Sequence, residues 1–199
     1  MFGGVPEENV LLMPNVDSVF RIPEKIASST LMPLLERFTN NQIAPDLFEW
    51  NNLVERQIAE KNTTVSIGLV AKYLENEDTY ISVLEALKAA AWSEGVDLQV
   101  RWINAETAND EEFTAVDGLL VPGGFGTRGI EGKILAARFA LENNKPYLGI
   151  CLGLQVAVIA STRRAGLERA NSTEFDPETD QNVVYIMEGQ AGKESTGGT

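Results

Sequence analysis

The pattern of apolar and polar residues changes near residue 64. From there on, short apolar runs alternate with longer segments whose apolar residues recur at helical spacing. The run TVSIGLVA at 64–71 is β-branched and apolar throughout, which predicts a strand buried on both faces. The full prediction has strands at 64–71, 98–102, 116–121, 146–150 and 182–187, and helices at 78–94, 130–143 and 152–164.

Single helices between consecutive strands favour a parallel sheet, because a parallel connection has to cross back over the sheet. We therefore predict an α/β fold with a doubly wound, mostly parallel sheet, of the flavodoxin-like or Rossmann-like kind. Helices should cover both faces of that sheet. Ligand sites in such folds lie at the carboxyl ends of the strands, so we expect the residues of a functional site there.

Residues 1–62 show a different pattern of apolar and polar residues. The apolar run at 10–13 predicts a short strand, and Leu31, Leu34, Leu35 and Phe38 have the spacing of a helix over 23–38. A further helix is predicted over 46–60. Polar segments at 40–45 and 60–63 predict connections between packed units.

Composition narrows the possible functions. The chain has 199 residues, 44% of them hydrophobic and 23% charged, which is typical of a globular protein and long enough for one α/β domain and a remnant of another. Its net charge of -13 repels nucleic-acid backbones and anionic membrane surfaces. We expect neither nucleic acid nor membrane as a partner. The start lacks the features of a secretory peptide, so we expect a cytoplasmic protein.

Cys151 is the strongest candidate for chemistry. It follows a predicted strand and precedes a predicted helix, with Gly149 and Gly153 two residues to either side. This G-x-C-x-G pattern is the cysteine counterpart of the nucleophile elbow. The turn presents the sulfur at the top of the sheet, and the helix amino terminus behind it favours a thiolate. The alternative is a buried cysteine that acts as a small hydrophobic residue.

A glycine-dense loop, Val121-Pro-Gly-Gly-Phe-Gly-Thr-Arg-Gly129, follows the preceding strand. Free backbone N–H groups in such a loop can bind a phosphate or the oxyanion of an acyl-transfer intermediate. The loop lacks the Lys-Ser/Thr ending of a Walker sequence, and its position next to the elbow favours the oxyanion. A plain surface loop is the alternative interpretation.

Acidic residues give weaker signals. Glu174 lies in a polar loop after the last predicted helix and could bind an ammonium group, although a solvated turn is the commoner explanation of such a loop. The segment 110–112 predicts the acidic first turn of a helix. With no histidine and one cysteine, the chain offers no convincing transition-metal site, and no metal ligand is predicted.

Two motifs, PGGFG-x-RG-x-EGK-x-x-AAR and ANSTEF, resemble the amidotransferase domain of the CTP synthase family. The elbow alone is typical of class I glutamine amidotransferases in general. The start, VPEENVLLMPNVDSVFRIP, is similar to the end of that family's synthetase domain. The resemblance implies the tail of a second α/β synthetase domain at 1–39, an interdomain linker at 40–62 and the amidotransferase domain at 63–199.

The resemblance implies ATP-dependent amination of UTP to CTP, with ammonia taken from glutamine through a thioester on Cys151. Backbone N–H groups of Gly124 and Leu152 would bind the oxyanion. The resemblance also implies residues that bind the substrates. It assigns glutamine binding to Gly124, Leu152, Gly153, Leu154, Gln155 and Glu174, and ATP binding to Pro14, Asn15 and Val16. It also implies Mg²⁺ and ATP held mostly by the synthetase domain outside this chain, GTP as an activator near a lid that contains Arg128, and a homotetramer for the full-length protein.

One departure from the family is clear. In the family, the cysteine nucleophile belongs to a catalytic triad that a histidine and a glutamate near the carboxyl end complete. This chain has no histidine. We therefore expect an incomplete fragment that is inactive alone, because Cys151 has no general base. One alternative is a noncatalytic pseudo-amidotransferase that serves as a binding or assembly module. Another is an amidotransferase subunit for a different synthetase, which the segment before residue 64 disfavours.

Overall fold

The computed structural model describes residues 4–42, 44–74 and 77–186. The chain divides into two compact units. One lies within residues 1–62 together with 90–96, and the other within residues 63–89 and 97–199.

The first unit is helical, with α1 at Ile22–Ala27, α2 at Leu31–Thr39 and α3 at Phe48–Ile58. The single helix predicted over 23–38 is wrong, because the chain breaks between α1 and α2. Ser29 donates its hydroxyl to the Ile26 carbonyl at 2.7 Å and accepts from the Leu31 amide at 3.2 Å, so the side chain replaces the helical backbone bonds. The helix predicted over 46–60 is confirmed as α3.

The strand predicted over 10–13 is also wrong. These residues are irregular in the structure, and Leu12 is 85% exposed. An apolar run becomes a strand only when a neighbouring strand supplies backbone partners and a surface to cover its side chains. This segment has neither in the described part of the chain.

The second unit is built on a four-stranded sheet, and all of its strand pairs are parallel. The spatial order is β2-β1-β3-β4, which confirms the mostly parallel α/β prediction. In register, Thr64 of β1 pairs with Asp97 of β2, and Val121 of β3 pairs with Gly149 of β4. The strands are β1 at Thr64–Ala71, β2 at Asp97–Asn104, β3 at Gly118–Val121 and β4 at Tyr147–Gly149.

Helices connect these strands, and α6 packs beside α7. The acidic first turn predicted at 110–112 is confirmed: Asn109 caps α5 in a capping box with Glu112. The helices are α4 at Ile81–Glu94, α5 at Asp110–Thr114, α6 at Ile130–Glu142 and α7 at Leu152–Arg164, and a short parallel pair follows, β5 at Asn171–Ser172 and β6 at Asn182–Val184. The predicted last strand is thus confirmed over Asn182–Val184, whereas Tyr185 and Ile186 are irregular and Met187 lies outside the described residues.

The core forms on both faces of the sheet. Along β1, Leu69 and Ala71 pack with Tyr80 on one face, while Val70 packs on the other face with residues of α6 and α7. Successive strand residues point to opposite faces, so burial of both sets explains why the sequence of β1 is apolar without alternation. None of the helices in the described ranges is long and apolar enough to span a membrane.

Candidate active site

Cys151 occupies a sharp turn between β4 and α7. Its backbone has φ 52° and ψ -108°, a conformation that non-glycine residues rarely adopt, and its side chain is exposed. Strain of this kind persists only where the surrounding structure enforces it. The predicted elbow geometry is therefore present, with the thiol at the carboxyl end of the sheet.

Both flanking glycines are required by close backbone approach. A Cβ atom at Gly149 would lie 2.4 Å from the Gly153 carbonyl carbon and oxygen. A Cβ atom at Gly153 would lie 2.0 Å from the Val121 carbonyl oxygen, at the end of β3. These distances are far inside van der Waals contact, so no larger residue fits at either position.

The predicted glycine loop lies against the elbow. A Cβ atom at Gly123 would lie 3.5 Å from the Cys151 Cβ, and one at Gly124 would lie 3.5 Å from the Leu152 Cδ2. Leu152 is the first residue of α7, and the first N–H groups of a helix have no partner within it. Backbone donors from a loop and a helix start thus converge beside the sulfur, which is the arrangement that stabilises an oxyanion.

Glu174 reaches the same loop. The Gly126 N–H donates to its carboxylate at 3.4 Å, and its own backbone N–H donates to the Ser172 hydroxyl at 3.2 Å. The structure therefore brings this carboxylate, 23 positions beyond Cys151 in the sequence, to the glycine loop. A carboxylate at that place is suited to an ammonium group of a ligand.

The remaining residues assigned to glutamine lie in the first turn of α7. Leu154 is 61% exposed and Gln155 is half-buried, so both side chains are accessible to solvent. The side chain of Leu152 is 1% exposed and belongs to the core, and Gly153 is buried. Leu152 and Gly153 can therefore offer only backbone groups to a ligand.

The three residues assigned to ATP belong to the other compact unit. Pro14, Asn15 and Val16 lie in an irregular segment before the short 3₁₀ turn Val19–Arg21. Pro14 and Asn15 are exposed, and Val16 is half-buried. Their assignment to ATP stays a prediction.

Arg128 is held at the edge of the glycine loop. It forms an ion pair with Glu106 at 3.1 Å, donates to the Lys72 carbonyl at 3.3 Å and lies 5.3 Å from the ring centre of Tyr73. These contacts fix the guanidinium and leave it about half exposed. Its role in GTP activation stays a prediction.

Two buried lysines beneath the glycine loop were missed by the sequence analysis. Lys133 of α6 is fully buried and donates to the Pro122 carbonyl at 3.4 Å, and Lys72, 7% exposed, donates to the Phe125 carbonyl. Burial and, to a smaller extent, the nearby charge of Lys72 lower the pKa of Lys133 to about 8, while Cys151 acts in the opposite direction. A signal did exist, because Lys133 lies on the apolar face of its helix beside Ile130, Ile134 and Ala137.

The elbow is an open surface feature and does not coincide with a cavity found on the same unit. That cavity, of about 580 Å³, lies between α6 and α7 and is lined by charged residues, among them Glu131, Arg138 and Arg163. Cys151 and the glycine loop remain the candidate site, because the strained backbone, the free donors and the nucleophile meet there. In the described ranges, no three His, Cys, Asp or Glu residues form a group able to hold a metal ion.

Comparison with known proteins agrees with this geometry. The family model of glutamine amidotransferase class-I matches residues 76–197. Over its whole length the chain is 44% identical to a CTP synthase of Methanothermobacter thermautotrophicus and 42% identical to one of Acidobacterium capsulatum. It spans 38% and 37% of the lengths of these two relatives.

A solved structure is also similar. The glutaminase domain of Trypanosoma brucei CTPS, with bound acivicin, is 41% identical with a TM-score of 0.59. The match covers 62% of this chain and 50% of that one. The similarity to CTP synthases thus includes the fold that carries the Cys151 turn as well as the sequence.

Proposed function

This chain belongs to the class-I glutamine amidotransferase family, and we propose that it is the ammonia-releasing part of a CTP synthase. The observation that carries the proposal is the convergence of the Cys151 elbow, the glycine loop and Glu174 at one edge of the sheet. The similarity to CTP synthases over the whole chain supports the assignment of the parent enzyme.

The chemistry follows from the positions of these groups. The Cys151 thiolate attacks the side-chain carbonyl carbon of glutamine, and the carbonyl oxygen takes up the negative charge between the N–H groups of Gly124 and Leu152. As this intermediate collapses, the amide nitrogen takes up a proton and leaves as ammonia, and a glutamyl thioester remains. Water then cleaves the thioester to glutamate and restores the thiol. Glu174 binds the ammonium group of the substrate, and Leu154 and Gln155 lie beside the bound glutamine.

The chain itself lacks a general base of the histidine type, since it contains no histidine. We propose that the parent protein supplies that base, and that the 199-residue chain alone does not hydrolyse glutamine. Sustained hydrolysis by the purified chain, lost in Cys151→Ala, would contradict this part of the proposal.

The whole enzyme would aminate UTP to CTP with ATP, in the cytoplasm and as a homotetramer, with GTP as activator. Pro14, Asn15 and Val16 would lie at the ATP adenine. The chemistry of Mg²⁺ is to neutralise phosphate charge, and the described residues do not fit that ion because no three acidic side chains among them form a group able to hold it. We therefore assign the ion to the synthetase part of the whole enzyme.

Glutamine binding can be tested without turnover. Cys151 is the only cysteine in the chain, so its alkylation by iodoacetamide can be followed by mass spectrometry. We expect L-glutamine to slow alkylation in a saturable way, and asparagine, one methylene shorter, to protect much less. Acivicin should protect as well. Glu174→Gln should weaken protection by glutamine, because it removes the charge that faces the substrate ammonium.

The parent assignment needs the full-length protein. In that protein, Cys151→Ala should abolish CTP formation from glutamine and preserve CTP formation from added ammonia, because only the release of ammonia uses the thiol. Loss of both activities in a folded variant would contradict the division of labour proposed here. Absence of both glutamine protection and any CTP synthesis would instead favour a noncatalytic binding module.

A further inference from the structure

Lys133 is fully buried below the candidate oxyanion site, although lysine is among the residues least often buried. Its ammonium donates to the carbonyl of Pro122, the first residue after β3. It would also lie 3.8 Å from a Cβ atom at Gly124, the residue that offers its N–H to the oxyanion. Lys133 therefore contacts the glycine loop from the side opposite to solvent.

The same loop is close to the nucleophile, since a Cβ atom at Gly123 would lie 3.5 Å from the Cys151 Cβ. The loop thus contacts both the residue that carries the thiol and the Lys133 ammonium. No carboxylate is paired with Lys133 among the described ion pairs. An unpaired positive charge in a region of low dielectric acts strongly on any negative charge formed nearby.

We propose that Lys133 is a positioning residue of this site: its ammonium fixes the glycine loop through the Pro122 carbonyl and supplies the positive charge beside which the thiolate and the oxyanion form. The inference deepens the proposed glutaminase chemistry and rests on it for its biological meaning. The charge itself can be measured without glutamine.

Several charged or titratable groups surround Lys133. Lys72, which follows β1, opposes its protonation, and Cys151, at the start of α7, favours it. Glu174 reaches the loop from the other side, at Gly126. With its pKa lowered to about 8, Lys133 carries its charge at neutral pH and loses it in mildly alkaline solution. The positive charge at the site should therefore weaken above pH 8.

The test compares two alkylating reagents of similar size, neutral iodoacetamide and anionic iodoacetate. Each reacts with the Cys151 thiolate: a sulfur–carbon bond forms, the carbon–iodine bond breaks and iodide leaves. The ratio of the two rates cancels the amount of thiolate, so it reports the local charge. A local positive charge raises the rate with iodoacetate relative to iodoacetamide.

In Lys133→Met we expect the iodoacetate-to-iodoacetamide ratio to fall by about three- to tenfold at pH 7, the range for one screened charge at short distance. Lys133→Arg should restore most of the ratio. A residue that only supports the fold would change both rates alike and leave the ratio unaltered, which would overturn the proposal.

Lys145→Met is the matched control. Lys145 also donates to backbone carbonyls, those of Phe113 and Val116, but it precedes β4 and so lies at the opposite end of the sheet from Cys151. The ratio should be unchanged in this variant. An equal fall in Lys145→Met and Lys133→Met would contradict a local effect.

The unmodified protein provides a second test in case Lys133→Met does not fold. Its ratio should fall as the pH rises from 7 to 9.5, with the change centred near pH 8, where Lys133 loses its proton. A ratio that is constant over this range would overturn the proposal. Failure of glutamine to protect Cys151, with the charge effect intact, would instead contradict the proposed function alone.

Discussion

The hydroxyl of Tyr147 donates a 2.7 Å hydrogen bond to the backbone carbonyl of Gly153, across the turn that carries Cys151. Tyr147 begins β4 and Gly153 lies in the first turn of α7, so the bond joins the two elements on either side of the elbow. Burial raises the pKa of the Tyr147 phenol, so the hydroxyl keeps its proton and remains a donor at any ordinary pH.

Tyr147→Phe should lower the free energy of unfolding by about 1 kcal/mol, since one partly buried hydrogen bond is lost and the ring is kept. Urea denaturation measures this change. Tyr185→Phe is the control: Tyr185 also donates to a backbone carbonyl, that of Asn182, but it is 66% exposed. Its loss should cost less than about 0.5 kcal/mol. Equal costs in the two variants would mean that the Tyr147 bond does not stabilise the elbow.

The parts of this site that sequence analysis predicted depend on local rules. The apolar run of β1 indicates burial on both faces because the alternation of strand side chains is fixed by the backbone. The glycines around Cys151 indicate a tight turn because they lack a Cβ atom, and the structure shows the close contacts that require them. These features need no knowledge of which distant segment packs where.

The parts that were missed or wrong depend on tertiary placement. The run at 10–13 is as apolar as a strand but has no neighbouring strand to pair with in the described ranges. The spacing of α6 places Lys133 on its apolar face, but it does not show which groups this lysine contacts. Its importance appears only when β3 brings Pro122 over it. Propensity and spacing carry no information on such contacts.

Gly153→Ala should prevent the elbow from forming in its present geometry, because the added methyl group would lie 2.0 Å from the Val121 carbonyl oxygen. Backbone atoms on both sides must then move, and we expect a loss of about 3 kcal/mol or more in unfolding free energy. Chemical denaturation and the alkylation rate of Cys151 should change together.

Gly166→Ala separates this steric effect from the conformational freedom of glycine. Gly166 has φ 107°, but a methyl group added there would meet open space, with nothing beyond its chain neighbours within 4 Å. Its replacement should cost about 1 to 2 kcal/mol through backbone strain alone. A loss in Gly153→Ala no larger than this would show that the chain relieves the clash easily.

Cys151→Gly should stabilise the fold while it removes the nucleophile. The backbone at Cys151 has φ 52° and ψ -108°, and such strain costs roughly 1–3 kcal/mol in a residue with a Cβ atom. Glycine relieves it but loses about 0.5–1 kcal/mol through the entropy of the unfolded chain. The expected net gain is about 1 kcal/mol, measured by urea denaturation.

Cys151→Ala is the matched control, because it removes the sulfur and keeps the Cβ atom. It should show no comparable gain. Asn144→Gly provides a second comparison, since Asn144 also has positive φ, 50°, yet asparagine tolerates that region well. Equal stability of Cys151→Gly and Cys151→Ala would mean that the elbow stores no strain at this residue.

The burial of Lys133 should make the stability of the protein depend on pH in a specific direction. The folded protein releases the Lys133 proton near pH 8, whereas the unfolded chain holds it up to about pH 10.5. Between these values the unfolded state binds more protons, so raising the pH favours the folded state. The shift of about 2.5 pKa units corresponds to roughly 3 kcal/mol at 1.36 kcal/mol per unit.

Lys133→Met should lack this contribution. The difference in unfolding free energy, wild type minus Lys133→Met, should therefore rise between pH 7 and pH 10, and comparing two proteins at each pH cancels the titration of every other group. Lys88→Met is the control, because Lys88 is exposed on α4 and pairs with Glu85 at the surface. For Lys88→Met, the difference in unfolding free energy from wild type should not change with pH. If the difference for Lys133→Met is equally constant, Lys133 is not buried as a charged group. That outcome would also remove the physical basis for its effect on Cys151.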